Sequence, residues 1–258
     1  AASDVYKRQA FEGCSGLTSI TIPEGVTSLA ERTFYNCTSL ESVILPEGLL
    51  SIADRSNYSS SGGVFENCTS LKRIVIPDSV TSIGSYAFYG CSGLTSVSIG
   101  DSVTSIGESV TSIGDCAFYG CSSLTSIGIP DSVTSIGSSA FSGCSSLTNI
   151  TIPKGVTSIE ANTFYNCVGL ESVVIPDSVT SIAYQAFNGC SSLTSITIPE
   201  GITSIERHTF YDCTALTSVG IPASVTNIEY YAFYGCSNLK DVYYGGDEVT
   251  WKQIEIGD

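Results

Sequence analysis

Cysteine is the first residue type here whose number and spacing could do chemistry. Eleven cysteines occur in 258 residues, and ten of them follow a phenylalanine by three positions, from Phe11/Cys14 to Phe233/Cys236. Zinc binding needs Cys and His grouped at short spacing. The chain has no Cys-x-x-Cys pair, and its one histidine, His208, adjoins no cysteine. Thiols repeated at a fixed interval could come within disulfide range, but a ladder needs no pairing. A cysteine three residues after a phenylalanine shares its face on a helical turn, and cysteine is often buried without a disulfide. The ten are therefore expected to be buried free thiols. Cys116 stands where other copies of the pattern carry Tyr86, Ser139, Asn162, Gln185, His208 and Tyr231, so it is expected to face solvent and to be the one thiol labelled in the native state.

Other reactive types are weaker. His208 lies beside Arg207 without the nucleophile and orienting group that a triad needs, so it reads as a surface residue. Acids recur at Glu24, Glu47, Asp78, Asp101, Asp131, Asp177 and Glu200, interrupted by Lys154 and Ala223. A stacked carboxylate row could bind calcium; turn formation in Pro-Asp-Ser and Pro-Glu-Gly explains it more simply. No catalytic, cofactor-binding or metal-binding residue is assigned. Recognition is the remaining chemistry. Tyr35, Tyr89, Tyr119, Tyr165, Tyr211 and Tyr234 each follow a ladder phenylalanine, and exposed tyrosine suits recognition, although stacking between turns would explain the row equally. Lys72, Arg73 and Tyr58 complete the candidate surface.

The elements that must position these residues repeat. The stretch Leu124–Ser146, LTSIGIPDSVTSIGSSAFSGCSS, recurs from Leu17, Leu40, Leu71, Leu94, Leu147, Leu170, Leu193 and Leu216, with a truncated copy at Leu239. Seven of the nine steps are 23 residues and the others are 31 and 30. A fixed period in this range specifies a solenoid in which each turn packs only on its neighbours. Apolar residues alternate at positions 4 and 6, so the spacing predicts a short parallel strand over positions 3 to 6, Ser126 to Ile129 in this copy. All eight prolines fall at position 7 and all ten phenylalanines at position 18. Val-Thr-Ser-Ile predicts a second strand, and Ala-Phe-x-x-Cys a single helical turn.

The pattern LxxIxIPxxVxxIgxxAFxxC resembles the leucine-rich repeat subclass of the BspA-like bacterial surface proteins over residues 10 to 244. The resemblance implies a leucine-rich repeat solenoid: a β-rich, right-handed parallel coil of about ten turns with short helical turns at the AFxxC corner. It also implies adhesion or host–microbe interaction at an extracellular or cell-surface location.

Three segments depart from the pattern. Residues 1–9, AASDVYKRQ, are expected to be a disordered or extraneous terminus, and 245–258 a capping tail in which Trp251, Ile254 and Ile256 cover the last turn. The 31-residue step holds an insertion in ADRSNYSSSGGV, expected to be a surface loop. The 30-residue step holds a duplicated heptad, Asp101–Gly107 and Glu108–Gly114, whose Val103/Ile106 and Val110/Ile113 compete for one pair of core positions. The downstream pair is expected to win, because it keeps the normal spacing to Phe118.

Composition limits the partners. The net charge of −15, without a basic cluster beyond Lys7-Arg8 and Lys72-Arg73, argues against nucleic acid and anionic membranes. No apolar run is long enough to span a bilayer, so no membrane insertion is expected. The chain contains no methionine and no signal peptide, so it is expected to be a mature product, an excised segment or an incomplete translation. The reading is a non-enzymatic, monomeric scaffold, without cofactor, for a protein or glycan ligand. A structural spacer is the alternative. A remote one is ice binding by the Ser/Thr rows of positions 3 and 5, such as Ser19/Thr21 and Asn149/Thr151.

Overall fold

The computed structural model describes residues 5–6, 9–52, 62–98 and 110–257. The 23-residue pattern winds into a parallel β-solenoid. A front row of strands contains Ser19–Thr21, Ser42–Ile44, Arg73–Val75, Ser96–Ser98 and Ser126–Ile127 as one ladder. It continues with the pair Asn149–Thr151 and Ser172–Val174, then with Ser195–Thr197, Ser218–Ile221 and Asp241–Tyr244. A second row, from Ser28–Leu29 to Asn227–Ile228, consists of the Ser-Ile segments. All pairings are parallel and place like on like, as Ser19 on Ser42 and Ile20 on Val43. Most front strands stop at position 5, one residue short of expectation, because the proline at position 7 has no N–H to continue a ladder.

Both long steps keep this register. Ile52 pairs with Ile83 across one and Ile83 with Ile113 across the other. Val110 and Ile113 occupy the regular core positions, 0% and 1% exposed. Val103 and Ile106 lie outside the described residues, as does 53–61 of the expected loop. Gly62, Gly63 and Val64, which follow it, are buried.

The corner differs from the expected helical turn. It is a chain of short turns, with Tyr35 N–H on Arg32 C=O (3.2 Å) and Cys37 N–H on Phe34 C=O (3.1 Å). Left-handed residues break it at position 16, as in Tyr86 (φ 61°) and His208 (φ 56°), and at position 20, as in Gly90 (φ 68°) and Asn166 (φ 54°). Those kinks aim alternate amides along the solenoid axis. Phe118 N–H donates to Ala140 C=O (2.8 Å) and Gly120 N–H to Ser142 C=O (2.8 Å) in the next turn, rather than back along a helix. The ten phenylalanine rings form one column, with adjacent centroids 5.2–5.7 Å apart and planes within 14° of parallel. Such offset stacking suits the ring quadrupole at little more than one strand spacing. Serine and threonine extend the ladders with side chains: Thr217 Oγ1 donates to Thr194 C=O (3.0 Å) and Ser79 Oγ to Leu49 C=O (2.6 Å).

The ends also differ from expectation. Val5–Tyr6, within the segment expected to be disordered, pair with Ser28–Leu29, because an edge strand offers unpaired backbone groups to any adjacent chain. The tail places Ile254 in the core (8% exposed) and Trp251 edge-on to Tyr244 at 5.2 Å. Asp247 caps the short helix Glu248–Trp251 by accepting from Thr250 N–H. Ile256 does not cover the last turn: it aligns with Ile228 but is 63% exposed, since no described residue packs beyond it. Among the described residues, no helix is long and apolar enough to cross a membrane.

Two outcomes follow. Deleting Asp101–Gly107 returns the 30-residue step to 23. Shorter loop closure should stabilise by about 0.5–1 kcal/mol, a rise of roughly 1–4 °C in Tm; a fall in Tm would refute the register. Trp251→Ala should cost about 1–3 kcal/mol, locally, because only nearest-neighbour turns couple. Hydrogen exchange should quicken at the Glu255 and Gly257 amides, which bond Thr226 and Ile228 C=O, and stay slow at Phe88. Uniform loss of protection would show that the array opens as one unit.

Candidate functional site

The ladder thiols occupy the core. Cys91 Sγ donates to Phe65 C=O (3.0 Å), Cys144 Sγ to Phe118 C=O (3.2 Å) and Cys190 Sγ to Phe164 C=O (3.2 Å), and the other ladder thiols from Cys37 to Cys236 repeat the contact. This explains cysteine at position 21: it fills an apolar site and still satisfies a backbone carbonyl. Burial pushes the Cys37 thiol up to about 11 and those of Cys91 and Cys167 up to about 12, so they are neutral and unreactive at physiological pH. All eleven cysteines are free. The expectation that only Cys116 is accessible needs correcting. Cys116, at the outward position 16, is half-buried; Cys236 is also half-buried and Cys14 is exposed, each packed by one described turn instead of two.

The acids after the prolines are exposed at Glu24, Glu47, Asp78, Asp131, Asp177 and Glu200. Among the described residues, no group of three or more His, Cys, Asp or Glu is placed to hold a metal ion.

The predicted tyrosine row breaks into groups. Tyr89 and Tyr119 stack at 4.7 Å, and Tyr211 and Tyr234 at 5.1 Å. Tyr35 carries the Arg32 guanidinium 4.0 Å above its ring, and Arg32 also pairs with Glu12. Buried Ser142 and Asn188 take the equivalent place on either side of Tyr165. Lys72 and Arg73 are exposed on the front sheet, away from the corner, with Ile44 (62% exposed) on the neighbouring strand and Val75 (36%) on the strand of Arg73 itself. Tyr58 lies outside the described residues.

A denser group, which single-residue inspection misses, lies on the corner of the last three full turns. It joins Tyr184, Arg207, His208, Tyr230 and Tyr231 to the predicted Tyr211 and Tyr234. Arg207 donates to the Tyr230 hydroxyl (2.9 Å) and lies 5.5 Å from the Tyr184 ring centre. His208 stacks on Tyr231 at 5.5 Å and touches Tyr211 and Tyr230 edge-on or tilted. Tyr184, Tyr230, Tyr231 and Tyr234 are 37–56% exposed, so the core does not explain them. His208 (φ 56°) and Tyr231 (φ 60°) are in the left-handed region, where a β-carbon costs about 1–2 kcal/mol. The signal was present in the sequence as residues 23 apart: 184, 207 and 230; 208 and 231; 211 and 234. Such a surface offers ring faces for apolar contact and hydroxyl, imidazole and guanidinium edges for hydrogen bonds. It does not contain a nucleophile held by a base.

A concavity of about 500 Å³ opens near Lys154 between Asp131, Ile152, Val174 and Asp177. It lies where the front ladder is interrupted between Ser126–Ile127 and Asn149–Thr151.

Among known families, the model of the BspA type leucine rich repeat region matches residues 58–112 and 111–240, in six copies. No curated protein matches. Solved structures do. A leucine-rich repeat protein from Bacteroides ovatus is 30% identical over 93% of this chain, with a TM-score of 0.74, and the chain spans 64% of that protein's length. A leucine rich cell surface protein from Faecalibacterium prausnitzii is 29% identical, covering 97% of this chain and 85% of its own, with a TM-score of 0.43. A leucine-rich repeat protein from Eubacterium ventriosum, 21% identical over 95% of this chain and 81% of its own, has a TM-score of 0.59 and shares the fold.

Native thiol labelling should mark Cys14 first, then Cys116 and Cys236, and spare Cys91, Cys144 and Cys167 until the protein unfolds; rapid labelling of Cys144 would refute its burial. The folded pKa values of the buried thiols are raised, so their contribution to stability is complete below about pH 9. It should be lost as pH rises toward about 12. Urea midpoints measured from pH 7 to 10.5 should therefore fall at the alkaline end, and a flat profile would contradict it.

Proposed function

Because the chain belongs to the BspA-type leucine-rich repeat family, we propose that it is a non-enzymatic recognition scaffold at a bacterial cell surface, binding a protein or glycan ligand. The solenoid supplies a rigid frame, and its outward positions carry the specificity. The observation that carries this reading is the aromatic corner around Arg207, His208, Tyr230 and Tyr231, in which exposed rings cluster across neighbouring turns without serving the core. Aromatic residues and arginine dominate recognition surfaces because they contribute large contact area and hydrogen bonds at low entropic cost.

A spacer would repeat its exposed residues uniformly. Here position 15 changes from Ser138 and Ala161 to Tyr184, Arg207 and Tyr230, and the front sheet changes from Ser/Thr to Ile44, Arg73 and Val75. Those departures favour binding over spacing. They also break the Ser/Thr rows of positions 3 and 5 that ice binding would need.

Glycan- and protein-array screening of the whole chain should return a ligand whose binding falls at least tenfold in Tyr230→Ser/Tyr231→Ser, about the loss of one recognition hot spot. Tyr119→Ser should change it little. If both variants bind like the parent, the aromatic corner is not the site; if no ligand is retained, the spacer reading prevails.

A further inference from the structure

Lys154 reverses a row of charge. The residue after the proline is an acid at Glu24, Glu47, Asp78, Asp101, Asp131, Asp177 and Glu200, and Lys154 stands between two of them. Asp131, Lys154 and Asp177 belong to three consecutive turns, so the charges read minus, plus, minus along the solenoid axis. All three residues are exposed, and Lys154 forms no ion pair among the described residues.

The front wall of the solenoid opens at the same three turns. The front ladder is interrupted before Asn149–Thr151 and again after Ser172–Val174. The forward bond from position 6 is made by Ile22 N–H to Ile44 C=O (2.9 Å), Ile152 to Val174 (3.0 Å) and Ile198 to Gly220 (3.3 Å). Among the described residues, Ile129 and Ile175 do not make it. Ile129, Pro130, Ile175 and Pro176 are half-buried, whereas Ile76, Pro77, Ile152, Pro153, Ile198 and Pro199 are buried. The loosened turns leave the concavity of about 500 Å³, with an aliphatic wall of Ile152, Val174, Ile175 and Pro176 and the three charges at its rim. It lies in the middle of the array, with strands of further turns on both sides.

A volume of this size with an apolar wall and a few charged groups suits a small molecule. The wall has no aromatic ring on which a sugar could stack. A bare anion would meet Asp131, Asp177 and a net charge of −15, and a bare cation would meet Lys154. A zwitterion answers all three charges. Its carboxylate pairs with Lys154 and its ammonium with an aspartate one strand rise away, about 4.8 Å. A single amino acid holds its two charges closer than that, whereas a dipeptide separates them by a chain of about 3.5 Å per residue. We infer that this concavity binds an aliphatic dipeptide in zwitterionic form, with its side chains against Val174, Ile175 and Pro176. Exposed ion pairs contribute little, so the expected Kd is about 0.1–1 mM. The site is separate from the aromatic corner and does not rest on that reading.

Amide-resolved NMR titration of the full chain with dileucine tests this. Saturable shifts should appear at Thr151, Lys154, Val174 and Ser178. Dileucine amide, which lacks the carboxylate, and N-acetyl-dileucine, which lacks the ammonium, should each bind about threefold more weakly, the loss of one exposed ion pair. Diserine should bind at least about tenfold more weakly, because it has no apolar side chain to bury. Lys154→Glu restores the acid that other copies carry, so the fold should hold with an unchanged Tm, and dileucine binding should fall about tenfold as attraction becomes repulsion. No saturable shift at millimolar dileucine, equal binding of either blocked peptide, or parental binding by Lys154→Glu would each overturn the inference. The blocked peptides are read on the unaltered chain, so that result does not depend on how the variant folds. Tyr230→Ser/Tyr231→Ser should bind dileucine like the parent, and loss of binding in that variant would place the peptide at the aromatic corner and overturn the inference too.

Discussion

The whole molecule depends on one distance, the rise between parallel strands. Hydrogen-bonded neighbours lie about 4.8 Å apart, and every residue of a turn must find a counterpart at that separation. The phenylalanine rings meet it by sliding past one another, at 5.2–5.7 Å between centroids. The thiols meet it by bonding the carbonyl of the turn below, and threonine and serine meet it with side-chain bonds to the same backbone. A residue that fits at one level fits at all of them. Selection by this rule explains why phenylalanine and proline are each confined to one position in the repeat, and every cysteine but Cys116 to another.

The same rule separates two kinds of position. Inward and ladder positions answer to the turn above and the turn below, so little variation survives there. Outward positions at the corner and on the front strands answer to solvent, and all the chemical individuality of the chain is concentrated there. Both long steps illustrate the division: register is kept from Ile52 to Ile83 and on to Ile113. The turn acids Asp131, Asp177 and Glu200 are likewise exposed.

Where the array stops, the rule stops. Cys14 and Cys236 are each packed by one described turn instead of two and are more accessible than the ladder thiols between them. Val242 and Ile256, in register with buried Val219 and Ile228, are 46% and 63% exposed. The tail continues both strand rows by one level, with Asp241–Tyr244 on Ser218–Ile221 and Glu255–Ile256 on Asn227–Ile228. End effects of this kind are where a repeat protein differs from an endless one, because capping must be supplied residue by residue.

The amino-acid sequence by itself determined the solenoid, the parallel strand rows, the buried phenylalanine and cysteine columns and the victory of Val110 and Ile113. Each of these is a consequence of period and polarity, which are properties of one chain read in order. It also located Lys72, Arg73 and the tyrosines as exposed or half-exposed. Only the tertiary structure decided the path of the corner, because a phenylalanine and a cysteine three apart fit a helical turn and a pair of kinked turns equally well. The choice is made by amides that bond to the next turn. Only it gathered Tyr184, Arg207, His208, Tyr230 and Tyr231, which are separated by whole repeats in the chain and brought side by side by one strand rise. Only it showed which thiols are accessible, since burial at an end depends on whether a neighbouring turn is present, and no local pattern records that.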